Sequence, residues 1–224
     1  MADRMTKMEL EEPDKLQLFF DEAMMYVKRN RTKIAVIAAA VVAIVLMIIG
    51  WLIYDRSYEN KANDVYQTAM LLEKSDDDKG LESAAQKYQD LISGYPRSSA
   101  AMFASYRLGN YHLKAQRFDE AIGFYNEFLE KASRSSDLTT LVLSALGAAY
   151  EGKKDLKKAL EYYEKAIVTP RDNGFLALNY QNAARIHEEL NNKAKALEYY
   201  RKALAITTDP AAELLIKRKI ALIS

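Results

Sequence analysis

The residues best suited to chemistry in this chain of 224 residues are two histidines and two short acidic runs. His112 and His187 occupy the same position in two copies of an internal repeat described below, and Tyr150 occupies it in the copy between them. A whole repeat therefore separates the two imidazoles, which is too far for a shared zinc ion. The equivalence of the three rings predicts that they pack between helices.

The acidic runs do not have the spacing of a metal site. Asp76-Asp77-Asp78 is followed by Lys79-Gly80 and lacks the alternating ligands and the closing glutamate of a calcium loop, which predicts a solvated loop between helices. Glu188-Glu189 has no acid partner that the sequence identifies. The chain contains no Cys, no nucleophile elbow, no phosphate-binding loop and no dinucleotide fingerprint. The sequence therefore predicts no enzyme, no metal and no cofactor.

The composition is that of a mostly helical protein with balanced charge. About half of the residues are apolar, 32 Lys and Arg face 31 Asp and Glu, and there are only 8 Gly and 4 Pro. So few turn residues argue against a β-sandwich or barrel. A net charge of +1 offers no basic excess for nucleic acid, so no nucleic-acid partner is predicted.

Residues 34–54 form a single uncharged segment that runs from Ile34 to Tyr54. As a helix it would be roughly 31 Å long, which matches the roughly 30 Å hydrocarbon core of a bilayer. The long preceding segment and the absence of a small-residue cleavage site favour an uncleaved signal anchor over a cleaved signal peptide. Trp51 and Tyr54 are typical of an interfacial aromatic belt.

The flanking charges predict how this span is oriented. The side preceding it carries a basic cluster of Lys28, Arg29, Arg31 and Lys33, whereas Arg56 and Lys61 are the near cations on the other side. The positive-inside rule then keeps residues 1–33 in the cytoplasm and exports residues 55–224. In a Gram-negative bacterium the exported side is the periplasm.

Residues 1–33 show little sign of a domain. Helical spacing of Leu16, Phe19, Phe20 and Val27 predicts one short helix, with Asp14 as its N-cap. Two interpretations stay open for it. It is either a separate cytoplasmic helix that lies on the membrane or on a partner, or an N-terminal extension of the transmembrane helix.

The exported segment contains an internal repeat whose copies begin 38 and then 37 positions apart. Each copy has a small residue on a first helix, a ring three residues later, an alanine twelve residues after the small residue, and an aromatic four residues beyond that alanine. Small residues let two helices approach closely, and the aromatic fills the space between neighbouring pairs. The predicted packing residues are Gly109, Ala121, Tyr125, Gly147, Tyr150, Ala159, Tyr163, Ala184, Ala196 and Tyr200.

These columns resemble the tetratricopeptide repeat, whose motif runs W-x2-L-G-x2-Y, A-x3-F and P. The copy that matches this motif best consists of Leu146-Gly147-x2-Tyr150, Ala159-x3-Tyr163 and Pro170, although no Trp fills the first column. The predicted fold is all-α: a transmembrane helix, then helix pairs at about 58–93, 98–132, 137–168 and 173–206, and a capping helix from Pro210 to about Ile223. Leu214, Leu215, Ile220 and Ile223 are the predicted buried side of the cap.

Binding is the function that such a solenoid supports, because its first helices line a groove suited to extended peptides or a partner helix. Counted from the small-residue column, the predicted groove residues are Tyr106, Asn110, Ser144, Ala148, Gln181 and Arg185. Some tetratricopeptide cochaperones hold a C-terminal carboxylate with Lys and Asn at these columns. Only Asn110 matches that set, so a charged-terminus ligand is disfavoured.

The order of parts resembles the YfgM-like family of ancillary translocon subunits. The features in common are the Leu18-Phe19-Phe20 patch, the basic cluster, one span ending in Gly50-Trp51, helical repeats, and a last helix with Lys219-Ile220 a few residues before Ser224. The resemblance implies a bacterial inner-membrane protein that associates with the SecYEG channel, with a membrane-anchored periplasmic chaperone of the peptidyl-prolyl isomerase type, and with exported polypeptides.

Two other functions stay open at this stage. The junction Tyr95-Pro96-Arg97-Ser98 and the pair Leu108-Gly109 are also typical of envelope scaffolds of the Tol-Pal coordinator or outer-membrane assembly type. Those proteins are typically cleaved or lipidated, and this chain has neither a Cys nor a good cleavage site. The third alternative is an enzyme with a degenerate site, for which the two histidines are the candidates.

Overall fold

The structure is a computed structural model that describes residues 15–75, 77–132, 138–169 and 173–223. The predicted N-cap Asp14, Asp76 of the acidic run, residues 133–137, Pro170 and Ser224 lie outside these residues. Within them the regular elements are α-helices and one 3-10 turn at Asn173–Phe175. The α-helices are α1 Lys15–Arg29, α2 Arg31–Glu73, α3 Asp78–Gly94, α4 Ser99–Lys114, α5 Phe118–Lys131, α6 Thr139–Gly152, α7 Leu156–Val168, α8 Leu176–Glu189, α9 Lys193–Ile206 and α10 Pro210–Ile223.

The chain divides into two units, Met1–Ser57 and Tyr58–Ser224, which we call the N-terminal unit and the repeat unit. Helix α2 begins in the first and ends in the second. The sequence predicts a repeat helix starting near residue 58, whereas the structure continues the apolar helix through that point. The continuation has a local reason, because neither a proline nor a glycine interrupts the sequence between Trp51 and Glu73.

The apolar part of α2 is long and hydrophobic enough to cross a membrane. Its most apolar window of 18 residues has a mean hydropathy of 3.0, and none of that window is buried. A helix of this kind near the start of a chain is a candidate membrane anchor or signal sequence.

The repeat unit is a stack of helix pairs in which each helix contacts its neighbour in the chain. Helices α4, α6 and α8 pack against α5, α7 and α9 within their pairs, while α5 and α7 also contact the first helix of the next pair. In the first pair, the C-terminal part of α2 shares a core with α3 and α4, where Ala62 and Ala69 are fully buried. The apolar cores follow one another along the stack.

Two glycines in the small-residue column let tyrosine rings lie directly on the backbone of the first helices. A Cβ built on Gly147 would lie 2.7 Å from ring carbons of Tyr163, and one on Gly109 would clash with Tyr125 in the same way. Both tyrosines are fully buried. In the next copy Ala184 and Tyr200 share a core. The helix pair α8–α9 therefore accommodates one methyl group at the position where the earlier pairs have glycine.

The turns inside the last three pairs repeat one backbone geometry. Gln116, Lys154 and Asn191 adopt left-handed φ values of 57°, 65° and 57°. In each turn this residue donates its N–H to the carbonyl three residues earlier, and the next residue donates to the carbonyl five residues earlier, as in Arg117 to His112 at 2.9 Å. This is a Schellman motif, which most often has glycine at the left-handed position.

Glycine at the left-handed position is expected to stabilise the repeat unit. Gln116→Gly should raise the free energy of unfolding by about 0.5–1 kcal/mol, because an L side chain is strained at positive φ. The matched control is Ala115→Gly, whose φ of −77° needs no glycine and which should lower stability by a similar amount. Chemical denaturation of the two variants measures both effects, and a loss in Gln116→Gly equal to that of the control would contradict the turn geometry.

The capping helix buries only part of the face that was predicted for it. Leu214 and Leu215 are 71% and 59% exposed, whereas Ile216 is 1% exposed. Ile216, Ile220 and Ile223 share a core with α9. Their spacing of four and three residues puts these isoleucines on one helical face, from which both leucines are turned away. The prediction is therefore confirmed for Ile220 and Ile223 and was wrong for Leu214 and Leu215.

Candidate functional site

At three of the four junctions in the stack, ion pairs join the first helices of successive pairs. Arg107 on α4 lies 3.5 Å from Glu73 on α2, and Arg185 on α8 forms a bidentate pair with Glu151 on α6, with Nη2 to Oε2 at 2.8 Å. Lys219 on α10 lies 2.9 Å from Glu188 on α8. We call this surface, formed by the end of α2 with α4, α6, α8 and α10, the first-helix row.

The same acceptors also receive hydrogen bonds from the repeat tyrosines. Tyr88 donates to Glu73 at 2.8 Å and Tyr163 donates to Glu151 at 3.1 Å. Tyr200 bonds to Glu188. The carboxylate of each bridge therefore links the second helix of its own pair to the first helix of the next.

Hydrogen bonds and charge outweigh the opposing effect of burial on the pKa values of Glu151 and Arg185. Burial raises the pKa of the Glu151 carboxyl, but the hydrogen bonds and the charge of Arg185 outweigh it and hold that pKa below its usual value. The hydrogen bond to Glu151 is the main reason that the pKa of Arg185 is raised. Burial, followed by the adjacent carboxylate, raises the pKa of Tyr163. Across the physiological pH range, Glu151 therefore stays ionised, Arg185 stays protonated and Tyr163 keeps its hydroxyl proton.

The junction between the second and third pairs has neutral residues where the other junctions have charges. Tyr125 donates to Oδ1 of Asn110 at 2.8 Å, so an amide replaces the carboxylate. Arg107 and Arg185 each follow their glutamate by the same interval in the chain. The repeat from Gly109 to Gly147 is one residue longer than the repeat that follows it, so the equivalent position after Asn110 is Ala145, which is neutral and lies beside Ser144. Ala148 follows one helical turn later on α6, and Asn110, Ser144 and Ala148 are all half-buried. This neutral segment is flanked on both sides by compensated ion pairs.

The structure distributes the predicted groove residues over three environments. The Tyr106 ring lies 6.1 Å from that of Phe128 and belongs to the apolar core, so its ring is used for packing. Asn110 lines a cavity of about 240 Å³ together with Arg107 and Lys114. Gln181 and Arg185 line a second cavity, of about 150 Å³, with Leu178, Tyr200, Leu215 and Lys219. Ser144 and Ala148 lie on α6, the first helix between those that carry Asn110 and Arg185.

Sequence reasoning missed the bridging residues Glu73, Glu151, Glu188, Arg107 and Lys219. A signal for two of them was present, because Glu151 and Glu188 precede their repeat tyrosines by the same interval in the sequence. The cations were harder to find, because a contact between residues a whole repeat apart becomes evident only when the pairs are stacked.

Both histidines pack against rings of their own second helices. His112 stacks on Phe124 with centroids 5.2 Å apart, and His187 lies 5.3 Å from Tyr199. The equivalent Tyr150 stacks on Tyr162 at 5.2 Å. These distances are those of aromatic packing. Within the described residues, no three His, Asp or Glu side chains lie together as a metal site would need.

Burial lowers the pKa of both imidazoles, with Arg117 adding to the effect at His112. The unfolded chain then binds more protons than the folded chain as the pH falls through about 6.5. We expect the free energy of unfolding to decrease between pH 7 and pH 5, by at most about 1.4 kcal/mol per pH unit for each histidine. The double variant His112→Tyr with His187→Tyr should remove this slope.

Thermal unfolding at a series of pH values measures that dependence. Tyrosine is the matched replacement because Tyr150 already fills the equivalent position. Equal slopes between pH 7 and pH 5 in the double variant and the parent chain would contradict the packing role of the histidines.

The predicted topology residues lie at the two ends of the apolar run of α2. Lys28 and Arg29 are in the last turn of α1, and Arg31 and Lys33 are in the first turn of α2. Trp51 and Tyr54 are exposed, with ring centroids 6.3 Å apart.

Comparison with known proteins identifies the repeats. Residues 101–167 and residues 177–210 match family models described as tetratricopeptide repeat. No curated protein matches the chain by sequence. Similar solved structures include MamA 41-end from Desulfovibrio magneticus RS-1, with 20% identity, a TM-score of 0.55, and coverage of 66% of this chain and 76% of that one.

Another solved structure, the crystal structure of MamA protein, has 18% identity and a TM-score of 0.58, with coverage of 72% of this chain and 81% of that one. At such identities the likeness shows a shared fold. The all-α architecture predicted from the sequence is thereby confirmed, and the chain carries tetratricopeptide repeats stacked as an α-solenoid.

Proposed function

We propose that the chain is a membrane-anchored protein–protein interaction module whose first-helix row binds extended polypeptide. The observation that carries this proposal is the neutral segment of Asn110, Ser144 and Ala148 between compensated ion pairs. An extended backbone presents neutral donors and acceptors, and small side chains on the row leave room for it. With its Oδ1 engaged by Tyr125, Asn110 retains an Nδ2 group that is suited to donate to a peptide carbonyl.

The paired charges of the row favour weak, tolerant binding over recognition of a single charged group. Arg185 and Lys219 already have carboxylate partners, so a ligand carboxylate would have to compete with Glu151 and Glu188. Hydrogen bonds to a neutral backbone need no such exchange. Enzymatic chemistry forms no part of this proposal.

We infer that residues 34–54 anchor the chain in a bacterial inner membrane, with residues 1–33 in the cytoplasm and residues 55–224 in the periplasm. The basic cluster on one flank supports this orientation. The three-part division at these boundaries is part of the same proposal. Anchoring raises the local concentration of the row near the membrane, so weak contacts suffice.

The specific role that we propose is that of an ancillary SecYEG subunit. In it, the span contacts the channel or a channel-bound partner, and the row holds emerging polypeptides or recruits a periplasmic chaperone of the isomerase type. The resemblance in the order of parts supports this role. Any holding activity would be passive, since the sequence has no phosphate-binding loop.

Photo-crosslinking in living cells tests the proposal. A photoreactive residue replaces Val45 in the span or Ser144 in the row, and Gly123 is the matched control because a side chain added there meets nothing within 4 Å. We expect translocon adducts from Val45 and adducts with exported chains or a chaperone from Ser144. Adducts with envelope-assembly proteins alone would contradict the translocon role and favour the scaffold alternative.

A further inference from the structure

Helix α1 has two chemically different faces. One side of the helix is apolar, because its residues recur at intervals of one, three, one and three: Phe19, Phe20, Ala23, Met24 and Val27. The opposite side carries Asp21, Glu22, Lys28 and Arg29, interrupted by Leu18 and Met25. Such a helix is amphipathic and has little net hydrophobicity.

Among the described residues of the N-terminal unit, 15–57, none covers the apolar face of α1. Phe19 and Phe20 are 68% and 59% exposed, and Met24 and Val27 are also exposed. An aromatic and aliphatic face of this extent is costly to leave in water, so a further surface must cover it.

The position of α1 identifies that surface. A single residue, Asn30, separates it from α2, and the Asn30 side chain donates to the Tyr26 carbonyl at 3.1 Å. The uncharged run of α2 begins at Ile34, four residues later. At about 1.5 Å per residue, this places Val27 within about 11 Å of the start of the span along the chain. A helix tied this closely to a membrane span lies at the depth of the lipid headgroups.

The charges at the junction fit the same surface. Lys28, Arg29, Arg31 and Lys33 fall within six residues, where they face the anionic headgroups of a bilayer. Asp21 and Glu22 lie on the side that would remain in water, and their charges oppose entry of α1 into the hydrocarbon core.

We propose that α1 is an interfacial helix that lies in the plane of the membrane, with its Phe19, Phe20 and Ala23 face at the boundary between headgroups and acyl chains. This inference rests on the proposed anchoring of residues 34–54. It resolves the two alternatives for the N-terminal segment in favour of a separate helix whose partner is the lipid surface.

Single-cysteine spin labels on the full chain test the inference, and the absence of native Cys leaves no background labelling. The chain is reconstituted in vesicles of phosphatidylcholine and phosphatidylglycerol, with labels at Ala23→Cys, Glu22→Cys or Val45→Cys. Accessibility is measured to oxygen, which enters lipid, and to a water-soluble nickel chelate. We expect labels at Ala23 and Val45 to be severalfold more protected from nickel than the label at Glu22.

The three labels separate failure of the inference from failure of the anchor. Nickel access at Val45 would overturn the anchor itself. Protection at Val45 with equal nickel access at Ala23 and Glu22 would overturn the interfacial helix and leave the anchor standing. Protection of both the Ala23 and the Glu22 label from nickel would show that α1 continues the membrane span. Protection of the Ala23 label in native membranes but not in vesicles would show that a protein covers this face. Both of these results overturn the proposal.

A second substitution tests the lipid-facing residues directly. Phe19→Ser with Phe20→Ser, combined with the Ala23 label, should return that label to water. Leu18→Ser is the matched control on the other side of α1 and should leave the label protected. Removal of phosphatidylglycerol should reduce protection at Ala23 while leaving Val45 unchanged, because the basic cluster no longer meets anionic headgroups. Protection at Ala23 that survives the double substitution would overturn the assignment of this face.

Discussion

Two arginines in the apolar run are expected to release the protein from the membrane fraction. Val41→Arg with Val45→Arg should convert a carbonate-resistant protein into one that is extracted or remains soluble. A cation at the centre of a span costs about 2.5–3.5 kcal/mol on insertion scales, so the pair costs about 5–7 kcal/mol. Deletion of residues 1–57 should have the same effect while leaving the repeat unit intact.

Helix α2 offers its own control for this experiment. Leu71 lies on the same helix beyond the apolar run and is 68% exposed, so Leu71→Arg should leave the membrane association unchanged. Membrane fractionation followed by sodium carbonate extraction measures the distribution. If the doubly substituted chain stays resistant to carbonate, residues 34–54 are not the anchor.

A valine at Gly147 is expected to destabilise the repeat unit by about 1–3 kcal/mol, which is typical of overpacking in a well-packed core. The Cβ alone would lie 2.7 Å from the Tyr163 ring, and the ring is buried between helices and cannot turn aside. The substitution should therefore separate α6 from α7 and weaken the junctions on both sides of that pair.

Gly123 is the matched control for this substitution, because it also lies within a helix and a Cβ added there meets nothing within 4 Å. Gly123→Val should leave stability unchanged or raise it by a few tenths of a kcal/mol, since valine has the higher helix propensity. Denaturant unfolding followed by circular dichroism distinguishes the two variants. Equal stabilities would contradict the close approach of Tyr163 to the α6 backbone.

The repeats explain why so much of this fold is predictable from one sequence. Three copies of the same columns allow Gly109 and Gly147 to be compared with Ala184, so each packing position is observed more than once. No earlier position in the chain serves as a second copy for the capping helix.

The features that could not be predicted depend on packing without a repeated sequence signal. Helix α10 carries apolar residues around much of its circumference, so periodicity alone does not choose Ile216 over Leu214. The continuity of α2 follows from the absence of a breaking residue, which is a weaker signal than a motif. The bridge between Glu151 and Arg185 joins two helices through a contact of tertiary structure, and the neutral segment around Ser144 becomes recognisable only beside it.

The central claim is that the first-helix row binds extended polypeptide, and hydrogen exchange of the full chain in lipid nanodiscs tests it most directly. The ligand is a permanently unfolded, reduced and alkylated polypeptide, and exchange is compared with and without it by mass spectrometry. We predict slower exchange in the segments of α4 and α6 around Asn110, Ser144 and Ala148, with the outer turns of α5 and α7 unchanged. Ala148→Arg should abolish the protection, whereas Gly123→Arg should preserve it. Protection confined to α5 and α7, or none at a saturating ligand concentration, would contradict the account.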